Sequence, residues 1–171
     1  MGAGKTTVAR RVAEIARIEF ADLDELIVAQ QGRTVGQIIT DAGEQQFRRI
    51  ETDVLRATLA ARPDHDFILA LGGGAWTIAA NRELIRAHGW LAVWLDAPFA
   101  SCWRRICGEP DSHDDAPVRP LAPDRTAAEE RYLARRSVYA AADIHIDAEL
   151  PLDRIAASII AAARTPAKKV L

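Results

Sequence analysis

The sequence lacks the features of several large protein classes. Its 171 residues include only two cysteines, Cys102 and Cys107, and no second pair that could complete a zinc site or a disulfide framework. Lys and Arg number 22 against 24 Asp and Glu, so the net charge of −2 lacks the basic excess of a general nucleic-acid binder. No apolar run approaches the ~20 residues that cross a membrane, and no signal peptide is visible. We therefore expect a reduced, cytoplasmic protein without nucleic-acid or membrane partners.

Short apolar runs alternate along the chain with longer amphipathic segments. The strand candidates lie at 18–24, 67–73, 90–96 and 142–147. The helix candidates lie at 6–18, 44–62, 81–89, 97–107, 125–141 and 152–164. This alternation predicts an α/β fold of three layers, in which helices cover both faces of a parallel sheet.

The chain length is that of one domain, which we place at residues 1–165. A proline-rich stretch without periodicity, at 108–123, interrupts the alternation. Long loops in compact domains are often lids, so we predict a lid over about 108–124. Residues 166–171 are expected to form a frayed tail.

The first seven residues, MGAGKTT, end a phosphate-binding loop of the form G-x-x-x-x-G-K-[ST]. Lys5 can reach the β- and γ-phosphates of ATP, and the Thr6 hydroxyl can bind Mg²⁺. Counting back five from Gly4 places the first loop glycine two residues before Met1. The expectation is therefore that the chain as written lacks that glycine and a central strand before it, through an internal start. Such a chain should be poorly soluble and bind ATP weakly.

Two of the predicted elements carry pairs of charged residues that suit a site. Asp22 and Asp24 end the strand candidate at 18–24, where a period of two points both to one side and suits a Mg²⁺-linked water and a substrate hydroxyl. A helix N-cap pair is the alternative. Arg48 and Glu51 lie three apart on one helix face, so the glutamate can orient the arginine toward a substrate carboxylate. An exposed ion pair is the alternative here.

Three further features complete the candidate site. Gly72, Gly73 and Gly74 follow an apolar strand and let the backbone approach a ligand closely, although a plain strand-to-helix turn is the alternative. Arg119 lies in the lid stretch, from which an arginine can close over a transferred phosphoryl group. Arg135 and Arg136 follow on the next helix, and spacing alone does not exclude that all three arginines are ordinary surface residues.

Taken in order, these motifs resemble the shikimate kinase family. The matching elements are G-A-G-K-T-T, D-L-D at 22–24, G-E-x-x-F-R-x-x-E at 43–51, L-G-G-G-A at 71–75, R-P-L at 119–121 and R-x-x-x-Y at 135–139. The resemblance spans residues 1 to about 147. It implies a P-loop fold with five parallel strands in full-length form, and transfer of the γ-phosphoryl group of ATP to the 3-hydroxyl of shikimate.

The resemblance also implies roles for individual residues. The implied ATP-binding residues are Gly2, Ala3, Gly4, Lys5, Thr6, Thr7, Arg105 and Arg119. The implied shikimate-binding residues are Asp24, Arg48, Gly72, Gly73, Gly74 and Arg135. Thr6 and Asp22 would serve Mg²⁺, with Asp22 acting through water. Lys5, Asp24 and Arg119 would be catalytic, and the enzyme would be a monomer.

The sequence departs from the family pattern in ways that leave alternatives open. Ser137 and Val138 stand where the family often has Pro-Leu, so the choice of Arg135 over Arg136 depends on the distance to Tyr139. Arg104 adjoins the proposed adenine-stacking Arg105. The rival functions are another small-molecule kinase, such as a gluconate kinase, and the ligand-sensing domain of a bacterial transcriptional regulator.

Overall fold

Helices and parallel strands alternate through the chain in the computed structural model, which describes residues 2–61, 66–107 and 124–164 and the backbone of Lys169–Val170. The helices are α1 (Lys5–Ala16), α2 (Leu23–Gln31), α3 (Val35–Ala60), α4 (Ala79–Ala87), α5 (Phe99–Cys107), α6 (Arg125–Tyr139) and α7 (Leu152–Ala163). The strands are β1 (Glu19–Asp22), β2 (Phe67–Ala70), β3 (Trp90–Leu91), β4 (Val93–Asp96), β5 (Ile144–Asp147) and β6 (Lys169–Val170). The predicted lid at 108–123, including Arg119, lies outside the described residues.

The strands pair in three parallel ladders of two strands each: β1 with β2, β3 with β6, and β4 with β5. Parallel pairing throughout confirms the predicted α/β class. In such sheets the carboxyl ends of the strands share one edge, and ligands bind outside that edge. The ends of β1 and β2, at Asp22 and Ala70, are adjacent in register and therefore place the two following loops side by side.

Two hydrophobic clusters hold the layers together. One packs α1 and α7 against the sheet through residues such as Val12, Ile68 and Ile155. The other packs α2, α3 and α4 against the opposite side of β2, and in it Phe67 meets Trp90 edge to face at 5.7 Å between ring centroids. Burial of each such large side chain contributes about 1.5–3 kcal/mol, so these clusters fix the positions of the helices that carry the site.

Several element boundaries differ from the sequence prediction. The first strand ends at Asp22 rather than at 24, because Asp22 caps a helix, α2, that the prediction missed. Helix α3 begins at Val35, capped by Thr34, and contains a kink at Gly43 with φ of 83°. The predicted strand at 67–73 ends at Ala70.

Two further differences concern the sheet itself. The predicted strand at 90–96 is interrupted at Ala92, whose backbone N–H donates to the Asp143 carboxylate at 2.9 Å. The expected frayed tail instead contributes β6, which pairs in parallel with β3. No helix within the described ranges has the length and apolar character needed to span a bilayer.

Candidate active site

The phosphate loop runs from Gly2 to the start of α1 in a conformation that requires glycine. Gly2 and Gly4 have φ of 66° and 78°, in the left-handed region that L side chains avoid. A Cβ on Gly2 would also collide with the backbone carbonyl of Cys102. Gly4 brings no capping side chain to α1, so the first-turn amides and the positive end of the helix dipole face the same edge of the sheet.

Thr6 and Asp22 join the phosphate loop to strand β1. The Thr6 hydroxyl donates a hydrogen bond of 2.7 Å to Asp22 Oδ2, across sixteen residues of sequence. The other oxygen, Asp22 Oδ1, accepts from the backbone N–H of Asp24 at 2.9 Å and so caps α2. The structure therefore brings together the two residues predicted to serve Mg²⁺.

Asp24 lies in the first turn of α2, not at the end of a strand. The expectation that Asp22 and Asp24 point to one side with a period of two is therefore wrong, and the capping alternative describes Asp22 correctly. Asp24 nevertheless reaches the glycine turn. A Cβ on Gly72 would lie 2.8 Å from Asp24 Oδ1 and 2.9 Å from Glu51 Oε1. The absence of a side chain at position 72 thus creates a notch in which two carboxylates converge.

Arg48 borders the other end of the glycine turn. Its Nη1 donates to Glu51 Oε2 at 2.8 Å, and its Nη2 donates to Glu44 Oε1 at 3.0 Å. A Cβ on Gly74 would collide with the Arg48 guanidinium, so this glycine too is required for space. The Arg48 side chain is 20% exposed, is held by two carboxylates and lies against the glycine turn.

Glu51 is fully buried, and among the described residues its Oε1 has no hydrogen-bond partner. Burial raises the pKa of Glu51, and the nearby Asp24 charge raises it further, whereas Arg48 and Arg135 lower it. The pKa of Arg48 is raised overall because Glu51 and Glu44 outweigh the opposing effect of burial. Charge in this pocket is therefore balanced between two carboxylates and two guanidinium groups.

The two adjacent arginines of α6 turn in different directions. The charge of Arg135 lowers the pKa of both Tyr139 and Glu51, against the larger opposing effect of burial, and this places Arg135 near both groups. Arg136 instead donates to Asp96 at 2.9 Å and lies over the Trp94 ring, 5.5 Å from its centroid. Arg135 is thus the arginine of the pair that lies near the carboxylate pocket.

Two contributors to this site lie within motifs named above, but the sequence prediction gave them no role. Tyr139 donates from its hydroxyl to the backbone carbonyl of Gly73, which ties α6 to the glycine turn, and burial raises the pKa of this tyrosine. Glu44 is the second partner of Arg48, a contact that the i, i+4 spacing of the two residues could have indicated. Tyr139 carried no such local signal, because its partner is 66 residues away.

The Arg105 side chain contacts the backbone of the phosphate loop. Its Nη1 donates to the Gly2 carbonyl at 3.3 Å, and its Nη2 lies 3.5 Å from Glu149 Oε1. Arg104 instead donates to the Ser101 hydroxyl at 3.2 Å. These contacts fix α5 beside the loop, and stacking of Arg105 on adenine stays a prediction.

The phosphate loop and the glycine turn border one cavity of about 120 Å³. Its lining includes Lys5 from the loop, Gly72 and Gly73 from the turn, and Tyr139 from α6. A phosphate loop, a hydroxyl–carboxylate pair beside it and a buried arginine, all at the carboxyl ends of parallel strands, are typical of a P-loop kinase of small molecules.

Comparison with known proteins identifies the family within this class. The model of the family described as shikimate kinase matches residues 1–164, and the chain belongs to the shikimate kinase family. The shikimate kinase of Salinibacter ruber is 36% identical over 165 residues, which cover 94% of this chain and 79% of that protein. The shikimate kinase of Mycobacterium tuberculosis is 39% identical over 138 residues, covering 80% of this chain and 72% of the relative.

Solved structures agree with this assignment. Shikimate kinase from Acinetobacter baumannii, in complex with shikimate, superposes with a TM-score of 0.82 at 31% identity, over 96% of this chain and 90% of that one. Shikimate kinase from Aquifex aeolicus gives a TM-score of 0.75 at 25% identity, over 94% and 90% of the two chains. The sequence prediction of family and fold is confirmed.

Proposed function

We propose that this protein transfers the γ-phosphoryl group of ATP to the 3-hydroxyl of shikimate. The observation that carries the proposal is the Arg48 guanidinium, anchored by the buried Glu51 and facing the glycine turn. An arginine presented in this way matches a compact carboxylate bidentately. Arg135 supplies a second positive charge from α6, so the pocket suits a substrate whose carboxylate is its only charge.

In this proposal, Asp24 would orient the attacking hydroxyl. Its Oδ1 points into the notch above Gly72, next to the pocket where Arg48 and Arg135 would hold the substrate carboxylate. Accepting a hydrogen bond from the 3-hydroxyl there would hold the nucleophile in line with the phosphoryl group. In phosphoryl transfer most of the rate enhancement comes from such positioning and from charge stabilisation, to which Lys5 would contribute on the β- and γ-phosphates.

Thr6 and Asp22 are suited to bind the Mg²⁺ ion that accompanies ATP. They offer a hydroxyl and a carboxylate 2.7 Å apart at the phosphate loop, and Mg²⁺ is usually bound by one or two such protein oxygens together with phosphates and waters. No larger cluster of His, Cys, Asp and Glu is found in the described ranges, which agrees with this sparse coordination. When bound, the ion would neutralise charge on the phosphate oxygens.

A coupled ADP-release assay with a substrate panel tests the proposal. We expect turnover that requires both ATP and shikimate, and none with gluconate, an open-chain carboxylate with hydroxyls at other positions. Turnover of gluconate in preference to shikimate would point to the rival kinase. Tight shikimate binding in calorimetry, without turnover at any Mg²⁺ concentration, would instead indicate a ligand sensor. A cytoplasmic location and a monomeric state remain predictions.

A further inference from the structure

The glycine turn is a β-turn whose central peptide bond is not fixed by its own sequence. The backbone N–H of Ala75 donates to the Gly72 carbonyl at 3.0 Å, so Gly73 and Gly74 are the two central residues. Gly74 has φ of −94° and ψ of −26°, which are the values of a type I turn. A type II turn places the same residue at positive φ, and glycine adopts both regions readily. The sequence of the turn therefore allows either form.

The two forms differ in the direction of the Gly73–Gly74 peptide. This peptide is trans, so the Gly74 N–H points away from whatever binds the Gly73 carbonyl. A change from type I to type II would flip the peptide and exchange these two polar groups. Gly74 lies directly against the Arg48 guanidinium, since a Cβ there would overlap it. The glycine that Arg48 requires for space is thus also the residue that leaves the turn ambiguous.

A hydrogen bond from α6 holds this peptide in the type I orientation. The Tyr139 hydroxyl donates to the Gly73 carbonyl, across 66 residues of sequence. The carbonyls of residues 72 and 74–76 instead accept from donors within residues 75–82. Gly73 therefore differs from its neighbours in being held from a distant helix. In the type II form its oxygen would point the opposite way and lose this bond.

The packing of α6 sets the position of the donor. The Tyr139 ring lies beside Trp94, with 6.2 Å between ring centroids. The adjacent Val138 carbonyl accepts from Trp76 Nε1 at 3.2 Å, which joins α6 to the residues after the turn at a second point. Burial raises the pKa of Tyr139, so its hydroxyl stays protonated and able to donate at neutral pH. The hydroxyl is therefore available at a fixed place to select one orientation of the peptide.

We propose that Tyr139 is a positioning residue that selects the type I form of the glycine turn and so prepares the pocket beside Arg48 for an anionic substrate. The inference rests on the proposed function for the identity of that substrate. On the side away from Tyr139, the type II form would present the partly negative Gly73 oxygen in place of the Gly74 N–H. That exchange disfavours a carboxylate bound by Arg48. If only a fraction of the molecules carries the competent turn, the apparent affinity falls by that fraction.

The two tyrosines of the chain provide a matched kinetic test, because both lie on α6 and both donate to a backbone carbonyl. Tyr132 donates to the Ala97 carbonyl at 3.1 Å and also accepts from Arg136 at 2.7 Å, so Tyr132→Phe loses one bond more than Tyr139→Phe. We expect the KM for shikimate to rise about three- to tenfold in Tyr139→Phe and to change less than about twofold in Tyr132→Phe. The KM for ATP should stay within about twofold in both. A shikimate KM that rises equally in both variants, or in neither, overturns the proposal.

NMR of the full-length chain tests the turn without substrate or activity. Residual dipolar couplings of the ¹⁵N-labelled Gly74 amide report the direction of its N–H. We expect the type I direction in the wild type and in Tyr132→Phe, and a second or averaged direction in Tyr139→Phe. An unchanged direction in Tyr139→Phe rejects the proposal, as does a type II direction in the wild type, which needs no variant to fold. If the turn responds as expected but the wild type does not phosphorylate shikimate, the selection by Tyr139 stands and the proposed function falls.

Discussion

Replacing Arg48 with alanine removes the group on which the proposed substrate recognition depends. The change deletes the bonds of 2.8 Å to Glu51 and 3.0 Å to Glu44 and opens the space beside Gly74. It therefore alters stability and binding together, and a useful experiment has to separate the two. The structure offers a way to do so, because the stability effect passes through Glu51 and the binding effect does not.

The two ion pairs of Arg48 contribute very different amounts to the free energy of unfolding. The Glu44 side chain is 57% exposed, so that pair contributes only about 0.5 kcal/mol. Glu51 is fully buried, and removing the partner of a buried ion pair costs about 3–5 kcal/mol. Loss of a bidentate, charge-assisted pair with the substrate carboxylate costs about 3–6 kcal/mol. We therefore expect the KM for shikimate to rise about 10²–10⁴-fold.

The double variant Arg48→Ala/Glu51→Gln distinguishes the two effects. A neutral amide at position 51 removes the unpaired charge, so most of the unfolding free energy should return while the KM stays high. Arg49→Ala, on the exposed side of the same helix, should leave both quantities unchanged. Steady-state kinetics below the melting temperature and nucleotide titration complete the test. A KM within about threefold of the wild-type value in Arg48→Ala, or a KM restored by the second substitution, would refute the reasoning.

Three further predictions follow from the same geometry. Gly72→Ala places a methyl group within 3 Å of Asp24 and Glu51, so kcat should fall at least about tenfold with little change in ATP affinity by fluorescence titration; an unchanged kcat contradicts the notch. Thr6→Ala should raise the Mg²⁺ concentration needed for half-maximal turnover, whereas Thr6→Ser should not, and equal requirements would exclude this hydroxyl. Burial raises the pKa of Glu51 above its ordinary 4.5, so the folded state binds this proton more tightly. Its stabilisation is therefore complete below pH 4.5 and is lost as the pH rises through the folded-state pKa. Denaturant unfolding should accordingly show the wild type losing stability relative to Glu51→Gln as the pH rises; a flat difference would count against the buried carboxylate.

The sequence predicts those parts of the site whose residues lie close together along the chain. Gly4, Lys5 and Thr6 are contiguous, and the interval from Arg48 to Glu51 sets both residues on one helix face whatever surrounds them. The alternation of apolar runs and amphipathic segments likewise predicts parallel strands, because the periodicity changes with each element. Such features can be predicted because they do not depend on long-range packing.

The missed parts depend on partners far away in the chain. Ala92 interrupts a continuous apolar run because its N–H is taken by Asp143, 51 residues later. Helix α2 begins within another apolar run, and only the Asp22 carboxylate, placed as a cap, ends the strand there. The pairing of Lys169 with Trp90 has no local signature at all. These contacts are decided by tertiary structure, which outweighs local preference in short apolar segments.

The glycine turn provides the space in which several charged side chains meet. Gly72 and Gly74 contribute no side chains, and the space is taken by Asp24 and Glu51 at one end and by Arg48 at the other. The Tyr139 hydroxyl donates to the backbone carbonyl of Gly73, the glycine between them, and so holds the turn in place. Since Asp24 comes from α2 and both Arg48 and Glu51 come from α3, the separation of these groups is set by how the two helices pack. We therefore expect the turn to set the distance between the substrate hydroxyl and the substrate carboxylate, so that a longer or open-chain acid reaches only one of the two ends.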